Sequence, residues 1–246
     1  GSQIRAHITK RFSMPWSSPA ARMREFILAM RAIWENWHEG KALEFAGKFY
    51  THTLMTPFFT PTGNEYGAPK VFLAAVGPKM TEVAGEVADG MIVHAFTTEK
   101  YLRETTLPSL EKGFAKAGKD RSDFEISYPV FVCTGQTEEE LIEAKRATAQ
   151  QIAFYGSTPA YKPVLDSIGV GDLQAELNSM SKQGRWVEMG ELISPDIMAE
   201  FAIVGEPSQV AGQIKSRYGD IVDRTSAAYA NIPKSERVKI ITELSA

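Results

Sequence analysis

Two hydrophobic rhythms divide the chain. From Ala20 to Trp37, Met23, Phe26, Ile27, Met30, Ile33, Trp34 and Trp37 recur every three or four residues, the spacing of a helix with a broad apolar face. Ser18 stands at the expected N-cap, with Pro19 at the first helical position. After Lys70, short continuous apolar runs replace that rhythm. Val71–Val76 and Met91–His94 read as fully buried strands, with a short helix over 78–89 between them. A helix over 98–118, a third strand over 124–135 and a helix over 137–156 follow. Thr137, with Glu140 three residues on, has the spacing of a capping box. A helix over 206–219, a fourth strand over 221–230 and a helix over 233–246 complete the series.

Two stretches interrupt this order. Residues 44–69 are rich in aromatics, threonine, glycine and proline, which suits a short extended hairpin or a long active-site loop. Residues 157–203 have helical patterning broken by glycines and prolines, and read as a helical insertion before the last strand. Consecutive strand–helix units with continuous apolar strands predict an α/β fold in which helices cover a parallel sheet. An open doubly wound sheet and a (β/α)8 TIM barrel compete. Four strands are too few to close a barrel, so the chain is expected to be a small open sheet or the C-terminal part of something longer.

Composition narrows the partners. The net charge is −3 and the two signs are interspersed, which argues against a nucleic-acid partner or an anionic membrane surface. No run approaches the roughly 20 apolar residues of a membrane span, and the first residues lack the features of a signal peptide. A soluble, cytoplasmic protein is expected. Cys133 is the single cysteine, so no internal disulfide forms, and its place in "YPVFVC" predicts a packed thiol. No histidine has metal-ligand spacing to a carboxylate or cysteine, and no metal site is predicted.

The stretch "FLAAVGPKMTEVAGEVADGMIVHAF" carries the most chemistry. A strand that ends at Ala74-Ala75-Val76-Gly77 and turns directly into a helix presents free backbone N–H groups at the positive end of the helix dipole. Such a turn can hold a phosphate. Gly77 permits close approach, Pro78 suits the first helical turn, and Lys79 adds charge. On these residues alone, a compact turn with a solvent-facing lysine fits equally well.

Together with "GSQIRAHITKRFSMPW" and "VGEPSQVAGQIKSRYG", that stretch resembles the luciferase-like monooxygenase superfamily, specifically its deazaflavin (coenzyme F-420)-dependent oxidoreductases. The resemblance covers nearly the whole chain and implies a (β/α)8 TIM barrel. It implies that Ala74, Ala75, Val76, Gly77 and Pro78 line the deazaflavin, with Lys79 and Met80 opening the helix beside its phosphate. The FMN-binding branch tends to carry serine or threonine at this turn, and here the first is Thr81. That difference favours F-420 over FMN. By the same resemblance Gly1, Ser2 and Gln3 follow the fourth barrel strand and approach the cofactor ring. The expected architecture over 1–246 is thus one partial barrel, truncated at its N-terminus to roughly strands 5 to 8 and the loop after strand 4.

The resemblance also puts His94, at the end of a strand, near a substrate pocket, and makes His7 a second catalytic candidate. A histidine bonded to a neighbouring loop is the plainer alternative for His94. His38 reads as a surface or cap residue, and His52 lies in the aromatic loop. Arg224 falls near the barrel mouth if the last strand runs from Ile221 to Ala228, although a structural ion pair with Asp223 is the stronger alternative. The leading expectation is an oxidoreductase moving a hydride between F-420 and a small organic substrate, in a homodimer. An FMN-dependent monooxygenase and a non-catalytic barrel remnant serving in binding or assembly are the alternatives.

Overall fold

The computed structural model describes residues 1–227 and 233–245. A π-helical turn, His7–Arg11, precedes helix α1 (Pro19–Glu39), after which β1 (Phe45–Ala46) and β2 (Thr51–His52) form a small antiparallel hairpin. Next come β3 (Phe72–Ala75), α2 (Pro78–Val87), β4 (Gly90–Val93), the single turn α3 (Glu99–Tyr101) and α4 (Leu107–Ala117). Strand β5 (Glu125–Cys133) leads into α5 (Glu138–Gly156) and then α6 (Lys162–Ser167), α7 (Leu173–Lys182), α8 (Trp186–Met189) and α9 (Pro195–Phe201). The chain ends with β6 (Ala202–Val204), α10 (Pro207–Tyr218), β7 (Arg224–Ala227) and α11 (Lys234–Ser245). These elements gather into two compact units, residues 1–92 with 108–125 and residues 93–107 with 126–246.

In the first unit β3 and β4 are neighbours, with α2 between them in sequence. Val71 is the joint: its carbonyl accepts from the Asp89 and Gly90 N–H groups at 2.8 and 3.2 Å, and its N–H donates to Asp89 Oδ2 at 2.7 Å. Arg31 Nη2 also reaches Asp89 Oδ2 at 2.8 Å, and Arg24 pairs with Glu86 at 2.6 Å, fastening α1 to the end of α2. On its other side α2 meets α4 across Gly85 and Gly113. A Cβ on Gly85 would sit 2.5 Å from the Leu110 carbonyl oxygen, and one on Gly113 would be 2.7 Å from the Glu86 nitrogen. The hairpin is fastened by Glu25 of α1, whose carboxylate accepts from the N–H groups of Lys48, Phe49 and Tyr50 at 3.0, 2.5 and 2.6 Å.

Strands β3 and β4 are not fully buried as their apolar runs predict. Leu73, Ala75 and Met91 are buried, whereas Ala74, Val76 and Ile92 are exposed. Successive side chains of a strand point to opposite faces. One face packs on helices and the other, though apolar, is open. The N-cap expected of Ser18 also differs in detail: Ser18 makes no cap bond, and Ser17 Oγ instead accepts from Arg22 at 2.7 Å.

In the second unit β5 is the organising strand. Its residues 131–133 pair in parallel with β6, and residues 127–130 pair in parallel with β7. Strand β6 overlaps the end of the helical insertion expected over 157–203. Residues 157–201 form helices and turns, and Ala202–Val204 is a strand. Thr137 caps α5 as expected, accepting from the Glu140 N–H at 3.2 Å, while Glu140 reaches back to the N–H of Gln136 at 2.7 Å. The core gathers Phe96, Ile152, Leu165, Leu177, Met189 and Phe201. Cys133 is buried among them with its thiol pushed up by desolvation, which is the packed role the sequence predicts. Asp223 stitches β7 to β5: its N–H donates to the Ile126 carbonyl at 3.0 Å, and its Oδ2 accepts from the Ile126 N–H at 2.7 Å. Arg224 opens β7 opposite Ser127, near the start of β5. It therefore lies at the amino end of these strands, not at the carboxyl end where the barrel-mouth expectation put it. The expected strand residues 228–230 fall outside the described residues.

Candidate functional site

The turn after β3 is built as a cradle. Gly77 has φ +78° and ψ 155°, a region open essentially to glycine alone, and a Cβ placed there would meet nothing within 4 Å. Its carbonyl starts α2 by accepting from the Thr81 N–H at 3.1 Å and the Thr81 hydroxyl at 3.0 Å. No side chain caps the helix. The first-turn N–H groups of Lys79 and Met80 thus have no intrahelical partner, Pro78 has none to offer, and Lys79 is exposed beside them. Thr81 is buried, so its hydroxyl serves the turn and not a ligand.

The two alanines divide their roles. Ala75 faces inward and can offer a ligand only its backbone, whereas Ala74 and Val76 project from the open face. Gly1 lies directly against Ala74, since a Cβ on Gly1 would fall 2.7 Å from the Ala74 carbonyl oxygen. Only glycine fits that approach. Ser2 is half-buried, and Gln3, at φ +61°, puts its Oε1 3.2 Å from Nδ1 of His7. The first unit therefore joins Gly1 to Ala74 and Gln3 to His7. These donors suit a phosphate: open backbone N–H groups, a positive helix end and one exposed cation.

In the second unit, His94 is half-buried among rings. Its Nδ1 accepts from the Phe96 N–H at 3.0 Å, Tyr155 meets it edge-on at 4.7 Å, and Tyr161 lies against it at 4.8 Å. Burial pulls its pKa below the ordinary histidine value, with no charged side chain contributing. That bond to the neighbouring backbone occupies Nδ1 and does not involve Nε2. Tyr155 and Tyr161 were not visible as site residues from sequence, because they lie 61 and 67 positions away with no motif linking them to His94. His38 is half-buried in the last turn of α1 and His52 is exposed on β2. A cleft of about 1420 Å³ between α10, β7 and α11, lined among the described residues by Ile214, Tyr218, Val222 and Ile241, includes Arg224 but not the Gly77 turn, residues 1–3, His7 or His94. Among the described residues no group of three or more histidine, cysteine or acidic side chains stands ready for a metal, and no helix is long and apolar enough to cross a membrane.

Comparison with known proteins adds four findings. The family model described as luciferase-like monooxygenase matches residues 1–224. An uncharacterized protein of Mycobacterium tuberculosis is 53% identical over 224 residues, 91% of this chain and 66% of its own length. A 5,10-methylenetetrahydromethanopterin reductase of Archaeoglobus fulgidus is 26% identical over 83% of this chain and 59% of its own. The solved structure of the coenzyme F-420 dependent tetrahydromethanopterin reductase from Methanopyrus kandleri superposes with a TM-score of 0.70 at 20% identity. It covers 93% of this chain and 63% of that one, and shows a shared fold. The chain thus spans about two thirds or less of the length of the proteins it matches.

Proposed function

We propose that this chain, which belongs to the luciferase-like monooxygenase family, is part of an F-420-dependent oxidoreductase that moves a hydride to or from a small organic substrate. The observation that carries this reading is the Gly77 turn, where positive φ, an uncapped helix start and Lys79 together present anion-binding donors. An F-420-dependent glucose-6-phosphate dehydrogenase of Mycolicibacterium gilvum, 30% identical over 51% of this chain and 35% of its own, supports the cofactor class. When bound, the deazaflavin would supply or accept the hydride. The backbone of Lys79 and Met80 would hold its phosphate, with Val76 and Pro78 bordering the ring. Because the Thr81 hydroxyl is committed to the Gly77 carbonyl, the turn offers no side-chain hydroxyl to a phosphate, which favours F-420 over FMN.

His94 would donate a hydrogen bond from Nε2–H to the substrate oxygen, and His7, tied to Gln3, is the second catalytic candidate. The exposed apolar face of Ala74, Val76 and Ile92 supports the reading that these strands belong to a larger barrel, whose other strands would cover it. A homodimer in the cytoplasm is part of the same proposal. The test is a pair of equilibrium titrations, with F-420 and with FMN, followed by cofactor fluorescence. F-420 is expected to bind in preference; preference for FMN would replace the proposal with a flavin monooxygenase, and binding of neither with a non-catalytic role.

A further inference from the structure

His94 is held from three sides within the second unit. A main-chain N–H can only donate, so the 3.0 Å bond from Phe96 makes Nδ1 a bare acceptor, and a neutral ring then carries its proton on Nε2. Tyr161 lies against the imidazole at 4.8 Å with the planes 34° apart, and Tyr155 meets it at 89°. The two phenol rings are 6.3 Å from each other, and both also touch Phe96, at 5.7 and 6.3 Å.

The frame that carries these rings is anchored in the core. Phe96 stacks on Phe201 at 4.6 Å, and both are fully buried. Tyr155 sits in the last turn of α5 and Tyr161 in the single turn Pro159–Tyr161 before α6. The link between them is pinned at Ser157, whose carbonyl accepts from Gln174 Nε2 at 3.1 Å and Asn178 Nδ2 at 2.9 Å. Gly156 lets that link close down, because a Cβ there would lie 3.0 Å from Leu177 Cδ1 and 3.5 Å from Phe96 Cζ. Neither tyrosine can drift without disturbing this packing.

We propose that Tyr155 and Tyr161 are positioning residues for His94, clamping its imidazole where Nδ1 is closed by Phe96 and Nε2–H is a fixed donor for a substrate oxygen. The clamp deepens the oxidoreductase reading and rests on it for the identity of that oxygen. In the reducing direction the hydride, with its electron pair, bonds to the carbonyl carbon while the C=O π pair moves onto oxygen. The Nε2–H hydrogen bond stabilises that growing charge without giving up its proton, and water supplies the proton that completes the alcohol. A neutral, tautomerically fixed histidine suits this task better than one that alternates between charge states.

The test reads the imidazole itself, without cofactor. Nitrogen-15 spectra of the chain are recorded from pH 5 to 8, with the His94 signals assigned by their loss in His94→Gln. In the wild type they are expected to show the Nε2–H tautomer alone and a midpoint below 6.5, the ordinary value. Tyr161→Phe keeps the ring and should leave both unchanged; Tyr161→Leu should mix the tautomers and move the midpoint up toward 6.5. A wild type with a mixed or Nδ1–H tautomer overturns the clamp, as does a Tyr161→Leu variant indistinguishable from wild type. If Tyr161→Leu does not fold, Tyr155→Leu removes the other ring of the clamp and is read in its place: mixed tautomers and a raised midpoint support the clamp, and a wild-type spectrum overturns it. A locked tautomer in a protein that binds no F-420 rejects the proposed activity and leaves the clamp standing, whereas F-420 binding with a mobile imidazole does the reverse.

Discussion

Replacing Gly77 by alanine tests the cradle through backbone geometry alone. The position has φ +78° and ψ 155°, and a Cβ there touches nothing within 4 Å, so no steric overlap enters. Holding an alanine in that region costs about 1–3 kcal/mol, while the stiffer unfolded chain returns about 0.4–1 kcal/mol. The middle of each range leaves a net destabilisation of about 1.3 kcal/mol, which lowers Tm by about 3–5 °C in a chain of this size. Gly40 supplies the control: it ends α1 at φ +69° with the same open space, far along the chain from the turn. Gly40→Ala should lose stability of similar order by thermal unfolding. Only Gly77→Ala should also weaken F-420 binding, because only there do relaxing dihedrals re-aim the N–H groups of Lys79 and Met80. A Gly77→Ala protein with wild-type Tm would refute the backbone assignment. One that is destabilised yet binds F-420 like the wild type would refute the turn as the cofactor's anchor.

Other outcomes follow from the same packing. Glu25 loses some ground to desolvation, but three backbone N–H donors outweigh it and hold the carboxyl below its ordinary range. Its contribution is therefore present above the unfolded carboxylate value and lost as pH falls through the lower folded one; Glu25→Gln should speed hydrogen exchange of the Phe49 and Tyr50 amides at neutral pH, and unchanged exchange would contradict the role. Gly113→Ala drives a Cβ into the backbone of α2, where no flexible side chain can yield, and should cost about 1–3 kcal/mol in a denaturant melt. Cys133, buried and with its thiol pushed up by desolvation, should resist a disulfide reagent in the native protein and react once denatured. Rapid native labelling would show that the β5 core is misplaced.

Much of the scaffold was legible because its signals are local. The helical spacing of α1, the apolar runs flanking Gly77-Pro78 and the Thr137–Glu140 pair each declare themselves within a few residues. The misses arise where the deciding contact is distant. Ala202–Val204 continues the apolar pattern of α9 and is too short to show its own period, so only pairing with residues 131–133 makes it a strand. Ala74, Val76 and Ile92 are as apolar as Leu73 and Met91, so the run cannot reveal that one face is open. At the site, the Gly77 turn could be read because a single glycine dictates it. The rings around His94 could not, since Tyr155 and Tyr161 come from a later helix and turn and carry no spacing signature. Arg224 was misplaced because its end of the strand depends on where β7 begins beside β5.

The proposed function stands or falls with a cofactor phosphate held at the Gly77 turn. Amide hydrogen exchange across 70–94, measured with and without saturating F-420, reads that contact where it would form. Slowed exchange at Lys79 and Met80, absent when FMN replaces F-420, is the predicted result. Unchanged exchange at those two amides while F-420 is bound would contradict the account.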